Sequence, residues 1–106
     1  MSINHGGQYM KSNIENEVLT IFLEGEINSS NAEEVEQELE AILNKGGFKS
    51  VKIDFGDVNY VSSAGLRITV RVKQKYDVIA LVNVPEEVFE IFEMVGFQNL
   101  FKIEKK

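Results

Sequence analysis

Four places in the chain hold hydroxyl, carboxylate or imidazole groups at a spacing that could support chemistry. Ser62-Ser63-Ala64-Gly65 sets two hydroxyls beside two residues small enough to let another backbone approach. If a helix starts there, its free amides and positive dipole end favour a phosphate on either serine, which would add about −1.5 to −2 of charge. The same serines could simply cap the helix, because a serine oxygen in that position accepts an amide of the first turn. Asp54 and Asp57 suggest paired carboxylates, yet no histidine or nucleophile accompanies them, and acids flanking a turn are the simpler reading. His5 lies in a polar lead-in, and one histidine without any cysteine cannot build a nitrogen-and-sulfur metal site. Glu33, Glu34, Glu36, Glu38 and Glu40 lack calcium-loop spacing and read as a solvated helix face. Gly25 and Gly46-Gly47 have neither the spacing nor the lysine of a phosphate loop. No catalytic set, metal site or cofactor is expected.

Elements must hold the serines in place, and the hydrophobic periodicity lays them out. Residues 1–8 read as a loose lead-in, and Tyr9 to Ile14 could form a short edge strand. Val18 to Leu23 is a β-branched and aromatic run, a strand closed by a turn at Glu24-Gly25. Ala32, Val35, Leu39, Ile42 and Leu43 recur at helical spacing. Asn31 with Glu34 resembles a capping box at the start of that helix, and Lys45 with Gly46-Gly47 marks its stop. Val51, Ile53 and Phe55 alternate as a second strand that ends in a turn at Gly56-Asp57, with Phe55 and Tyr60 as core or rim aromatics.

From Ser62 onward the pattern is mixed, because Ile68, Val70 and Val72 alternate like a strand while Leu66-Val70 and Ile68-Val72 fit helical pairs. A helix whose first turn holds the serines is the reading adopted. Val78 to Val82 is a continuous apolar run, expected to be a central strand covered on both faces. Pro85 suits a first helical position, and Val88, Ile91, Phe92 and Val95 form one stripe closed by Gly96. Phe101 to Ile103 could add a last strand. Strands separated by helices argue for an α/β fold, with parallel neighbours and an antiparallel leading pair. The expectation is one domain over residues 1–106, a mixed four- to five-stranded sheet packed by three or more helices.

Charge and composition narrow the partners. With 17 acidic against 11 basic residues among 106, the net charge of −6 repels nucleic acid and anionic membranes, so a protein partner fits better. No apolar run reaches the length of a membrane span. The first residues have neither the basic stretch nor the apolar core of a secretory signal, and the chain has no cysteine, so a cytoplasmic protein is expected.

Three separated segments carry a family resemblance. Val51 through Arg67, with Val61-Ser62-Ser63-Ala64-Gly65-Leu66 at its centre, resembles the central motif of STAS domains, the module of bacterial anti-sigma factor antagonists and sulfate transporter tails. Leu23 to Asn28 with the following helix, and Asn83 to Val88 through Glu93 to Phe97, agree with it in the same order. Together they span about Val18 to Ile103.

The resemblance implies a non-enzymatic regulator that binds a serine-kinase anti-sigma factor and releases a sigma factor. The kinase would use ATP to phosphorylate a serine in the loop. Asn28, Ser29, Ser62, Ser63, Ala64, Gly65 and Arg67 would form the docking surface of a monomer or weak dimer. Ala64 stands where the family carries a hydroxyl, which makes Ser63 the phosphoacceptor candidate and Ser62 the second. Ser62 and Asn28 also replace acidic residues of the family, and the segment from Gly65 to Pro85 is short and lacks a glycine turn. The alternative is a STAS scaffold without phosphorylation, built into a signalling assembly or binding a small ligand.

Overall fold

The computed structural model describes residues 10–106, so His5, Tyr9 and the lead-in at 1–8 lie outside the described residues. In chain order the elements are β1 (Met10–Glu15), β2 (Val18–Ile27), α1 (Ala32–Leu43), β3 (Ser50–Val61), α2 (Ser63–Lys75), β4 (Val78–Val84), α3 (Glu86–Met94) and β5 (Ile103–Lys105), with a 3₁₀ turn at Phe97–Asn99 before the last strand. The strands lie in sequence order as one five-stranded sheet, β1 antiparallel to β2 and the rest parallel. The expected mixed α/β sheet with three helices is therefore what forms.

One face of the sheet carries the core. Leu19, Ile21 and Leu23 on β2 and Val51, Ile53 and Phe55 on β3 are buried, while Thr20, Phe22, Lys52 and Asp54 between them are half-buried or exposed. That alternation is the signature of a sheet packed on one side. The inward residues of all three helices, including Val35 and Leu39, Ile68 and Val72, and Val88 and Phe92, join this single cluster. Phe92 meets Phe55 edge-on at 5.1 Å, and the chain of rings continues through Phe97 to Phe101. Such pairs stabilise beyond the area they bury.

The one-sided packing corrects the expectation for β4. Its run is apolar throughout, yet Ile79 is exposed and Val82 only half-buried, because none of the described helices packs on their face. For α2 the helical reading holds, with Gly65, Ile68, Thr69 and Val72 buried at helical spacing while Val70 is not.

Most other differences concern where elements end. β2 does not stop at Glu24-Gly25. It bends there, with shifts of register against β3 and Gly25 at φ 79°, and runs on to Ile27. Glycine takes a left-handed conformation inside a strand without steric cost, so the same signal that suggests a turn marks a break in the register of β2 against β3. β3 likewise continues through Gly56-Asp57 to Val61, so Asp54 and Asp57 are strand residues rather than turn acids. The Asp54 carboxylate accepts the Gly56 N–H at 2.8 Å.

α1 has Asn31 as its N-cap but no side-chain cap bond, because both ends of that asparagine's amide are engaged elsewhere. It ends at Leu43 with Asn44 as its cap, so Lys45 falls outside the last turn and Gly46-Gly47 belong to the connection to β3. Pro85 is the N-cap of α3 rather than its first residue, α3 ends before Val95, which is exposed, and β5 starts at Ile103. The short link from α2 to β4 is only Tyr76-Asp77. Tyr76 is extended, and its N–H still reaches the Val72 carbonyl at 2.9 Å, so the turn closes without glycine.

Candidate functional site

β2 and β3 end side by side, with Ile27 opposite Val61, and the chain leaves each strand at the same edge of the sheet. After Ile27 comes a four-residue turn, Asn28 to Asn31, and after Val61 comes Ser62 and α2. The two exits are tied together by the Ser62 N–H, which donates to the Ile27 carbonyl at 2.8 Å. The geometry thus brings the residues expected from sequence, Asn28, Ser29, Ser62, Ser63, Ala64, Gly65 and Arg67, to one end of the molecule.

Their surroundings differ. Ser62 is half-buried and extended at φ −84°, ψ 176°, and its Oγ accepts the Gly65 N–H at 3.5 Å, a long cap bond. Ser63 is the first residue of α2 and is exposed. The amides of Ser63 and Ala64 have no intrahelical acceptor, as in any first turn. Arg67, one turn on, is exposed as well.

Gly65 faces inward. A Cβ on it would lie 2.8 Å from both Ile27 Cγ2 and Val61 Cγ1, so its missing side chain lets α2 press against the ends of β2 and β3. The smallness of Gly65 serves internal packing. Thr69 Oγ1 completes this inner side by donating to the Gly65 carbonyl at 3.0 Å.

The neighbouring turn is held by two asparagines. Asn28 Oδ1 accepts the N–H groups of Ser30 and Asn31 at 2.9 and 3.2 Å, while the Asn28 N–H donates to Asn31 Oδ1 at 2.9 Å. Asn31 Nδ2 donates to the Glu26 carbonyl at 2.8 Å, and Asn28 Nδ2 reaches Glu26 Oε1 at 3.2 Å. Such Asx bonding fixes the turn and presents Ser29 and Ser30, both exposed, at its tip. Asn31 was missed as a site residue. The Asn-x-x-Asn spacing was its available signal, and the capping-box reading concealed it. Tyr60 also reaches the rim, 47% exposed, beside Glu26 on the paired strand.

Carboxylates surround this end, with Glu24, Glu26, Glu33, Glu34 and Asp57 all exposed. Among the described residues no group of three or more histidines, aspartates or glutamates could hold a metal ion. A cavity of about 120 Å³ lies at the opposite end of the sheet, between Ser12, Leu19, Ile42 and Lys45, and shares no residue with this surface.

An exposed serine at a helix start, knitted to the exit of the adjacent parallel strand, meets a family model that spans almost the entire chain: the STAS domain model matches residues 9–106. The chain belongs to the STAS domain family. Within it, a Bordetella bronchiseptica protein described as a candidate anti-sigma factor antagonist, BtrV, is 38% identical over 90 residues, covering 81% of this chain and 77% of that one. In shape, this STAS domain is similar to an anti-sigma factor antagonist from Mycobacterium paratuberculosis, with a TM-score of 0.81 at 19% identity over 99% of this chain and 87% of the other. It also matches the Bacillus cell fate determinant SpoIIAA in its phosphorylated form, with a TM-score of 0.62 at 15% identity over 89% of each chain. By the first of these likenesses the chain falls in the family of the anti-sigma factor antagonists. None of the helices in the described residues is long and apolar enough to cross a membrane.

Proposed function

We propose that this STAS domain works by partner switching in the cytoplasm, as a monomer or weak dimer. It binds a serine-kinase anti-sigma factor through Ser29, Ser62, Ser63, Ala64 and Arg67, on the scaffold set by Asn28 and Gly65, and so frees a sigma factor. The domain acts by binding and catalyses nothing itself. The observation that carries this reading is the exposed Ser63 beside its capping neighbour Ser62, at the edge where the Asn28 turn also emerges.

Ser63 is the phosphoacceptor in this reading. Ser62 is half-buried with its oxygen turned to an amide, whereas the Ser63 side chain is at the surface. A kinase would transfer the γ-phosphoryl group of ATP. A bond forms from Ser63 Oγ to the γ-phosphorus, the bond from that phosphorus to the bridging oxygen breaks, ADP leaves, and the hydroxyl proton passes to a base of the kinase. The added charge of about −2 at the centre of a docking surface opposes binding through repulsion and desolvation.

The test is titration calorimetry of the purified chain against the serine-kinase anti-sigma factors of its own genome. The wild type and Ser63→Ala should bind one of them, and Ser63→Asp should bind it at least about tenfold more weakly, or about 1.4 kcal/mol. If the wild type, Ser63→Ala and Ser63→Asp all bind none of them, the proposal fails.

A further inference from the structure

Ser63, Arg67, Arg71 and Lys75 recur every four residues along α2 and so form one stripe down the helix. The two lower cations of the stripe bridge to α1. Arg71 Nη1 lies 2.9 and 3.0 Å from the two carboxylate oxygens of Glu36, and Lys75 Nζ lies 3.4 Å from Glu40 Oε2. Both pairs join residues 35 apart in sequence, because α1 and α2 follow neighbouring parallel strands and advance side by side. The same offset carried one turn further sets Arg67 level with Ala32, the first residue of α1. Ala32 has no charge to offer. Among the described residues Arg67 has no carboxylate at ion-pair distance, although the two cations below it each have one. The ladder of ion pairs has its third cation and lacks the third anion.

We infer that the missing anion is a phosphoryl group on Ser63 itself, bound in the same chain by Arg67. The inference rests on the reading of Ser63 as the phosphoacceptor. A phosphoserine carries three acceptor oxygens and a second pKa near 6, and a guanidinium fork suits them. With the anion four residues before the cation, the pair has the order that stabilises a helix. Phosphorylation would then occupy the exposed arginine at this end of α2 as well as adding charge. The other ionisable groups at this end are the carboxylates of Glu24 and Glu26 on β2, Glu33 and Glu34 on α1 and Asp57 on β3, with the Tyr60 hydroxyl. Carboxylates raise the phosphate's pKa, while the free amides at the start of α2 and Arg67 both lower it, so the share due to Arg67 is the change on its substitution, which leaves the amides in place.

Phosphoserine installed at position 63 during translation, in the full chain and in its Arg67→Gln and Arg67→Lys variants, tests this by ³¹P NMR titration. The second phosphate pKa should be lowest in the native background, rise by about half a unit or more in Arg67→Gln, and move back toward the native value in Arg67→Lys. Equal values in the native and Arg67→Gln chains would overturn the inference. The titration needs no partner, so a chain that binds no anti-sigma factor still answers it, and a missing pKa difference leaves the docking reading standing.

Discussion

The two ends of α2 are built differently. At its C-terminal end the helix is tied to α1 by Arg71 with Glu36 and Lys75 with Glu40, Tyr76 reaches Asn44 at 3.4 Å, and the chain turns into β4 within two residues. At its N-terminal end the contacts point inward only. Gly65 fits against Ile27 and Val61 and Thr69 bonds back to the helix, while Ser63 and Arg67 are exposed and have no side-chain partner among the described residues. One end is closed by side chains of its own chain, and the other is held rigidly from beneath with its outer side left open. A docking surface needs both properties, since a rigid base lowers the ordering cost of binding and an open face leaves groups for a partner to meet.

The contrast predicts that the hidden support of the open end matters more to stability than the visible bridges of the closed end. Gly65→Ala puts a methyl group 2.8 Å from two core side chains and should destabilise the domain by about 1–3 kcal/mol, read as a lower melting temperature. An unchanged melting temperature would show that α2 can lift from the sheet freely and that the base is not rigid. At the closed end the Arg71 and Glu36 side chains are 48% and 30% exposed, so water screens their attraction. A double-mutant cycle with Arg71→Gln and Glu36→Gln should give a coupling of only about 0.2–1 kcal/mol in chemical denaturation. A coupling larger than the cost of Gly65→Ala would reverse the comparison.

Much of this was legible in the sequence, for reasons that can be traced to residues. The helix at Ala32 to Leu43 and the apolar runs at Val18 and Val78 follow from burial on one face, which periodicity records directly. The serines at the start of α2 were legible because a polar pair before an apolar helical pattern marks an N-terminus. The bulges at Gly25 and Gly56 were not. A glycine that bends a strand and a glycine that ends one look alike until the partner strand is known, and β2 and β3 continue past theirs because each is paired to the other. The inward role of Gly65 was hidden for the same reason, since Ile27, which it packs against, lies 38 residues away in sequence. The ion-pair ladder between α1 and α2 depends on the register of two helices, which no local pattern contains.

The most direct test of the docking surface is an amide NMR map. The ¹⁵N-labelled chain is titrated with the serine-kinase anti-sigma factor that binds it in the calorimetry, and the residues that shift or broaden first are located. The account predicts that they cluster at 28–31 and 60–67, the turn after β2 and the start of α2. A cluster around Ser12, Leu19 and Lys45, at the far end of the sheet, with Ser63 and its neighbours unmoved, would contradict it.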